Sequence, residues 1–540
     1  MRKLMRQITP FLAAAMFLTA CGGASSGDSK AADSSASADT GTEQTAQTGN
    51  IKETIHVATA QQPPSLDCHK NSTSSVREMT RGLLYEQLVT LNANSEPVPE
   101  LCESYEMSDD NKTVTFYLRK GVKFHDGSEM TADDVVASMN RWINGFSTAR
   151  AAVGEGAEFE KVDDYTVKIT SESSLLLFPT VIAGATQPAV ITTAAACANE
   201  DGNGYMTDYI GTGPYKFAEW QQDQYIKFER FDDYVPYGEE GREDDGWSSY
   251  KTAPTKYIEY DFVKEPTTRE AGLETGQYDF MYNVPSDDQA RIDGTDGIKT
   301  LSAPSGGVTL VFNKKEGIGT DENFRKALNA YLDCDVLLTA NYGENGYVLD
   351  SNYMDEDQPF WMTDAGSESY NQKDETKAKE YLTESGYDGT SVRILCSSMN
   401  GFDNIGVALQ EELKGIGVAS ELEVVDWPTF TDYRKDSSRY DIYITGFGAT
   451  PLPTLKLYFG ASYPGWMTDE TLTGYLNDIT NAADMDAAKA VWDEAQAYCW
   501  NEYVPVINMG HQIAFYGSSD KLTGLNTYNG MHFWNAAVAE

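Results

Sequence analysis

Between Val392 and Ile444, strand and helix patterns alternate without interruption, and that alternation restricts the fold more than any other feature of the chain. Short aliphatic runs predict strands at Val392–Cys396, Glu421–Val425 and Asp441–Ile444. Apolar residues at helical spacing predict helices over Ile405–Lys414 and Pro428–Arg434. Consecutive β-α-β units make right-handed crossovers and hence a parallel sheet. Ligands of open parallel sheets sit beyond the carboxyl ends of the strands. Three loops occupy that position: Ser397-Ser398-Met399-Asn400, Asp426-Trp427, and Thr445-Gly446-Phe447-Gly448-Ala449-Thr450. Their hydroxyls, aromatic faces and glycines suit a small-molecule cleft. The other reading, on equal terms, is that Trp427 and Phe447 merely cap the core of the sheet.

Upstream, Thr113–Leu118 and Tyr165–Ile169 alternate as half-buried strands do. Thr131, with Asp134 three positions on, predicts a helix start whose Val135, Val136 and Met139 share one face. These pieces predict a mixed α/β layer over residues 86–200. A second α/β run begins at Val308–Phe312, continues through a helical pattern over Phe324–Leu338 and reaches a helix at Thr376–Glu384. Ser173–Asn199 carries no charge, but Pro179, Gln187 and Pro188 interrupt it, leaving no run of about 18 strongly apolar residues. A buried lobe element is expected there.

At the amino end, Arg2, Lys3 and Arg6 precede an apolar stretch, Ile8–Thr19, that is too short to span a bilayer. Residues 1–20 therefore read as a signal peptide. Leu18-Thr19-Ala20-Cys21 resembles the lipobox of bacterial lipoproteins, which implies acylation of Cys21 and attachment to the outer face of the cell membrane. Two or more acyl chains hold a protein firmly, whereas one does not. Residues 21–50, nearly all small and polar, predict a flexible leash. The rest of the 540-residue chain suffices for about three domain-sized units.

The formal net charge of −42 argues against nucleic acid, whose phosphates need clustered Lys and Arg. Apart from Cys21, six cysteines are scattered without C-x-x-C spacing, so buried free thiols are expected rather than a zinc site or dense disulfides. Five histidines lack metal-site spacing, and neither a metal nor another cofactor is expected.

A family resemblance runs from about Ile55 to Trp534. It is carried by Pro64-Ser65-Leu66-Asp67, Leu84-Tyr85-Glu86-Gln87-Leu88, Pro99-Glu100-Leu101, Phe116–Gly127, Thr131–Val136, Gly211–Lys216, Phe312-Asn313, Phe324–Leu328, Lys379–Leu382, Gly386-Tyr387 and Tyr440-Asp441. Together these resemble the family 5 extracellular solute-binding proteins, the peptide- and nickel-type receptors of ABC importers. The resemblance implies an α/β, two-lobed, periplasmic-binding-protein-like fold (type 2, cluster C) with an extra α/β subdomain in lobe one. Lobe one would comprise residues 51–85, 201–305 and 504–540, the extra subdomain 86–200, and lobe two 306–503. The hinge would be crossed near Ser302–Thr309 and Tyr503–Met509.

By that resemblance the protein is expected to be a monomeric extracytoplasmic receptor. It would capture a small solute, first of all a peptide, and deliver it to an ABC permease and ATPase complex. An oligosaccharide, an opine or a chelated metal is the alternative cargo, and sensing the alternative role. Expected ligand contacts are Ser65, Leu66, Phe360, Trp361, Ser397, Met399, Asp426, Trp427, Thr445, Gly446, Phe447, Gly448 and Thr450. Peptide-binding members share Gly-Trp-x-x-Asp after the last strand, where the carboxylate meets the peptide's amino terminus. Here Thr450 stands in that place, and a hydroxyl supplies no charge; Asp426 or Asp364 is the expected substitute. His125-Asp126 is expected to form a structural turn. A hydrolase is the competing class, but H-E-x-x-H is absent, and the S-x-x-K strings at Ser248 and Ser518 lack their S-D-N and K-T-G companions. No catalytic residue is expected.

Overall fold

The computed structural model describes residues 50–356 and 358–540. The signal peptide, Cys21 and the leash up to residue 49 lie outside the described residues.

Two long strands, Ile298–Phe312 and Val506–Ser519, pair antiparallel along nearly their whole length and form the spine of an eleven-stranded sheet. Beyond one end, Gly307–Phe312 pairs antiparallel with the strand Ile442–Phe447. Val392–Ser397 follows parallel to that strand, and Ser420–Val425 parallel to Val392–Ser397. Beyond the other end, strand Phe280–Val284 pairs with Val506–Ser519, then come Thr54–Thr59 and Tyr257–Phe262 in parallel, and Tyr225–Arg230 and Tyr215–Gln221 antiparallel. Two lobes are thus built on the two ends of one strand pair. The pair's register shifts between Pro304 and Gly307 and again at Val308/Thr309.

The helices Phe402–Gly415 and Trp427–Tyr433 sit between the predicted strands, so the β-α-β reading of this region holds. Alternation explains the core: Val308, Leu310 and Phe312 join Ile442, Ile444 and Leu409 on one face, while Val311 and Tyr443 face the other way. Both faces are covered, which is why the strands read as continuous apolar runs.

The extra layer is a four-stranded antiparallel sheet in the order Cys102–Met107, Thr113–Leu118, Thr166–Thr170, Phe159–Asp163. Helix Ala132–Gly145 packs on it through the buried Val135, Met139, Trp142 and Ile143. Its start is fixed where predicted, the Thr131 backbone N–H donating to the Asp134 carboxylate at 3.0 Å.

One reading is corrected. The pattern over Phe324–Leu338 is two helices, Glu322–Tyr331 and Cys334–Tyr342, because the Asp333 carboxylate accepts from the N–H groups of Asp335 and Val336 and starts a new helix. Ser173–Asn199 forms short helices at Phe178–Ile182 and Ala194–Ala198, and no described helix is long and apolar enough to cross a membrane. Cys68, Cys102, Cys197, Cys334, Cys396 and Cys499 are all free thiols.

Candidate functional site

Pro304, Ser305 and Gly306, at the register shift of the long strand pair, line a cavity of about 170 Å³. Arg77 and Glu78 reach it from helix Ser74–Thr80, and Arg81 from that helix's carboxyl cap. Trp247, Tyr516 and His532 also line it, together with Asp355, Gly448 and Ala449. A neighbouring cavity, also about 170 Å³, shares Thr186, Gly448 and Ala449. There Thr148 and Gln187 of the extra subdomain oppose Phe447, Thr450 and Lys456.

Gly306 ties hinge and cleft together. Its φ is +99°, a conformation L side chains rarely adopt, and a Cβ there would stand 2.4 Å from the carbonyl oxygen of Phe447. The segment at the strand pair's register shift therefore lies directly against the Phe447–Thr450 loop that lines both cavities.

The lobe-one wall is held rigidly. Arg81 donates from Nε to Gln87 Oε1 at 2.7 Å and from Nη2 to the Ala183 carbonyl at 2.8 Å, and its guanidinium lies 3.5 Å over the Trp247 ring. Its Nη1 is buried without a hydrogen-bond partner, as is Nε of Arg77. Behind this wall Lys251 bridges Glu86 at 3.1 Å and Glu100 at 2.7 Å, all three almost out of solvent. Burial raises the Glu78 carboxyl to about 7 against the pull of Arg77. Burial likewise lowers His532 to about 3, so that ring is neutral as it stacks on Trp534 at 4.8 Å.

On lobe two, Lys456 donates to Asp355 Oδ2 at 3.0 Å, and Asp355 Oδ1 has no hydrogen-bond partner. His511 Nε2 stands 3.7 Å from that oxygen while its Nδ1 is 3.3 Å from Asp350.

Of the residues expected at the site, Phe447, Gly448 and Thr450 line the cavities. Thr445 is buried with its hydroxyl unpartnered, and Gly446 is exposed. The remainder fall elsewhere. Ser65 and Leu66 are buried, Ser65 accepting from the Asp67 N–H, and Trp361 is a core side chain whose carbonyl accepts from Trp492 at 2.8 Å. Phe360 packs edge-on against Trp361. Ser397 Oγ accepts from the Met399 N–H, leaving the Met399 side chain exposed. Trp427 stacks on Phe430, and Asp426 caps its own helix by accepting from Thr429 N–H at 2.9 Å. Asp364 is exposed. The carboxylates that do line the cleft are Asp355 and Glu78.

Sequence reasoning passed over Arg77, Arg81 and Asp355. The two arginines had a weak signal, like charges one turn apart between the apolar Val76, Met79, Leu83 and Leu84. Asp355, one acid among 83, had none.

His125 is structural: Gly211 N–H donates to Nδ1 at 3.1 Å, and Nε2 pairs with the Gly213 carbonyl at 3.0 Å. Asp126 closes the same turn by accepting from Ser128. Among the described residues, His56, Glu259 and Asp261 are close enough together to hold a metal ion, but they line neither cavity, and Lys227 pairs with Glu259 at 3.0 Å.

Two lobes on a shared strand pair, with cavities between them, define the class of hinged solute-binding proteins. The chain belongs to the bacterial extracellular solute-binding proteins, family 5, whose middle-region model matches residues 96–469. It is 27% identical over 494 residues to a probable peptide ABC transporter periplasmic-binding protein of Sinorhizobium fredii, covering 87% of this chain and 90% of that one. It is 26% identical over 474 residues to the oligopeptide-binding protein AppA of Bacillus subtilis, covering 83% and 81%. The solved AppA–nonapeptide complex matches with a TM-score of 0.70 at 20% identity, over 91% of this chain and 100% of that one. AgaA of A. tumefaciens R10 with agropinic acid matches with a TM-score of 0.73 at 24% identity, over 90% and 99%. The fold is therefore the expected two-lobed α/β fold.

Proposed function

We propose that this protein is the extracytoplasmic receptor of an ABC importer, capturing a short peptide between its lobes and presenting it to the permease and ATPase. The observation that carries this reading is the cavity at the strand-pair crossing, walled by both lobes and by the hinge itself. Lobe one comprises residues 51–85, 201–305 and 504–540, lobe two 306–503, and the extra subdomain 86–200. A solute touching both walls favours the closed form by its differential affinity for it. The family and the names of its relatives support the importer role.

Small-angle scattering with and without a pool of di- to tetrapeptides tests capture. Compaction with saturable heat in calorimetry is expected, and an unchanged profile without heat would refute it. In this reading the protein acts as a monomer anchored through acylated Cys21, so Cys21→Ser should move it from the membrane to the soluble fraction. It binds without turning over its cargo. In keeping with that, burial pushes Cys68, Cys102, Cys334 and Cys396 up to about 12, so none offers a thiolate at neutral pH.

A further inference from the structure

We propose that Arg77 and Arg81 form an oxyanion-recognition pair on lobe one, so that the captured solute places a carboxylate or phosphate group against them. This rests on the reading of the interlobe cavity as the capture site and names the chemistry that site selects.

The two arginines lie one helical turn apart, the Arg81 N–H donating to the Arg77 carbonyl at 3.0 Å. Like charges at this spacing repel, and Glu78 beside Arg77 is the one acid the helix sets against them. Arg81 is only 2% exposed, yet Nη1 has no acceptor. Leaving a buried charged donor unsatisfied is among the costlier defects a fold can carry, so a site that keeps one is poised for an acceptor that arrives later. Arg77 Nε is a second unpartnered buried donor on the same wall.

The carboxylates nearby do not meet this demand. Glu100, whose field reaches Arg81, is bound by Lys251 at 2.7 Å. Asp355 across the cavity is paired with Lys456 at 3.0 Å. Glu78 adjoins Arg77 in sequence, but burial raises its pKa to about 7, so near neutrality it is partly protonated and opposes an incoming anion less than a full charge would. The Arg81 guanidinium lies 3.5 Å over the Trp247 ring with Nε and Nη2 already engaged, so Nη1 is the nitrogen left for an oxyanion, and Arg77 supplies the second donor of the pair.

The pair is tested by native mass spectrometry and calorimetry of the full chain with three probes. These are a pool of di- to tetrapeptides with free carboxyl termini, the same pool amidated, and glycerol 3-phosphate. Free-acid peptides are expected to bind at least tenfold more tightly than the amides. Arg77→Gln should abolish that difference without lowering the melting temperature, and Arg77→Lys should restore part of it. Because Arg81→Gln also breaks bonds to Gln87 and Ala183 and could unfold the wall, Arg77 is the primary variant. Binding of glycerol 3-phosphate alone, lost in Arg77→Gln, would support the pair while replacing the peptide by a phosphorylated solute. Equal affinity for acid and amide pools, or an acid preference that survives Arg77→Gln, would overturn the pair and leave capture standing. If no probe binds, the capture reading fails and the pair falls with it.

Discussion

Lys456 donates to Asp355 at 3.0 Å across a site where both side chains are almost wholly out of solvent, and the second oxygen of that carboxylate has no hydrogen-bond partner. This buried pair sits on lobe two where the cavities meet. It occupies the side of the cleft on which Thr450 fails to supply the acid that peptide-binding relatives are expected to carry there.

Removing one member of a buried ion pair strands the other charge in a poor dielectric. Asp355→Ala or Lys456→Ala should therefore each lower unfolding free energy by about 3–5 kcal/mol. Asp355→Leu combined with Lys456→Met should cost less than the sum of the two alanine changes. Urea denaturation of the four proteins measures this, and strict additivity would count against a coupled pair.

Gly306 is the point at which hinge geometry and cleft geometry meet. Gly306→Ala puts a Cβ 2.4 Å from the Phe447 carbonyl in a backbone conformation at φ +99°. The expected cost is about 1–3 kcal/mol of strain, with weakened solute affinity because the Phe447 loop is displaced. Calorimetry with the peptide pool alongside thermal melts separates the two effects; unchanged affinity would uncouple hinge from cleft.

Glu78 makes stability depend on pH in a defined direction. Its pKa is raised from the ordinary 4.5 to about 7 by burial. Between those values the folded protein holds a proton that the unfolded chain has released. The contribution is thus fully present below pH 4.5 and is lost as pH rises through about 7. Glu78→Gln lacks this titration, so the melting temperature of the variant minus that of the wild type should climb between those pH values and level off above. A difference independent of pH would refute the shift.

Phe447 and Trp427 should part company. Phe447 lines the second cavity and packs edge-on against Tyr458 with ring centroids 4.9 Å apart, whereas Trp427 lines neither cavity and stacks on Phe430 at 5.4 Å. Phe447→Ala should weaken solute binding about tenfold or more, and Trp427→Ala should lower stability by about 1–3 kcal/mol with affinity within twofold. Paired calorimetry and chemical denaturation decide between them.

The β-α-β succession from Val392 to Phe447, the capped helix after Thr131 and the strand Thr113–Leu118 were legible in the sequence because each rests on local periodicity and local hydrogen bonds. Asp333 shows the limit of pattern: an apolar stripe continued across it, but a side chain that binds the next turn's N–H groups stopped one helix and began another. The loops at the carboxyl ends of the strands were found by topology, yet only the one after Ile442–Phe447 reaches the cavities. Asp426 and Trp427 looked equally suited and are engaged within their own helix.

The sequence alone determined the elements, the two-lobed family fold and the absence of an acid at Thr450. Only tertiary structure decided that Arg77 and Arg81, more than 270 residues from Asp355 in the chain, share a cavity with it. Periodicity records which face of an element is apolar, whereas the meeting of charges from two lobes depends on where a shared strand pair shifts its register.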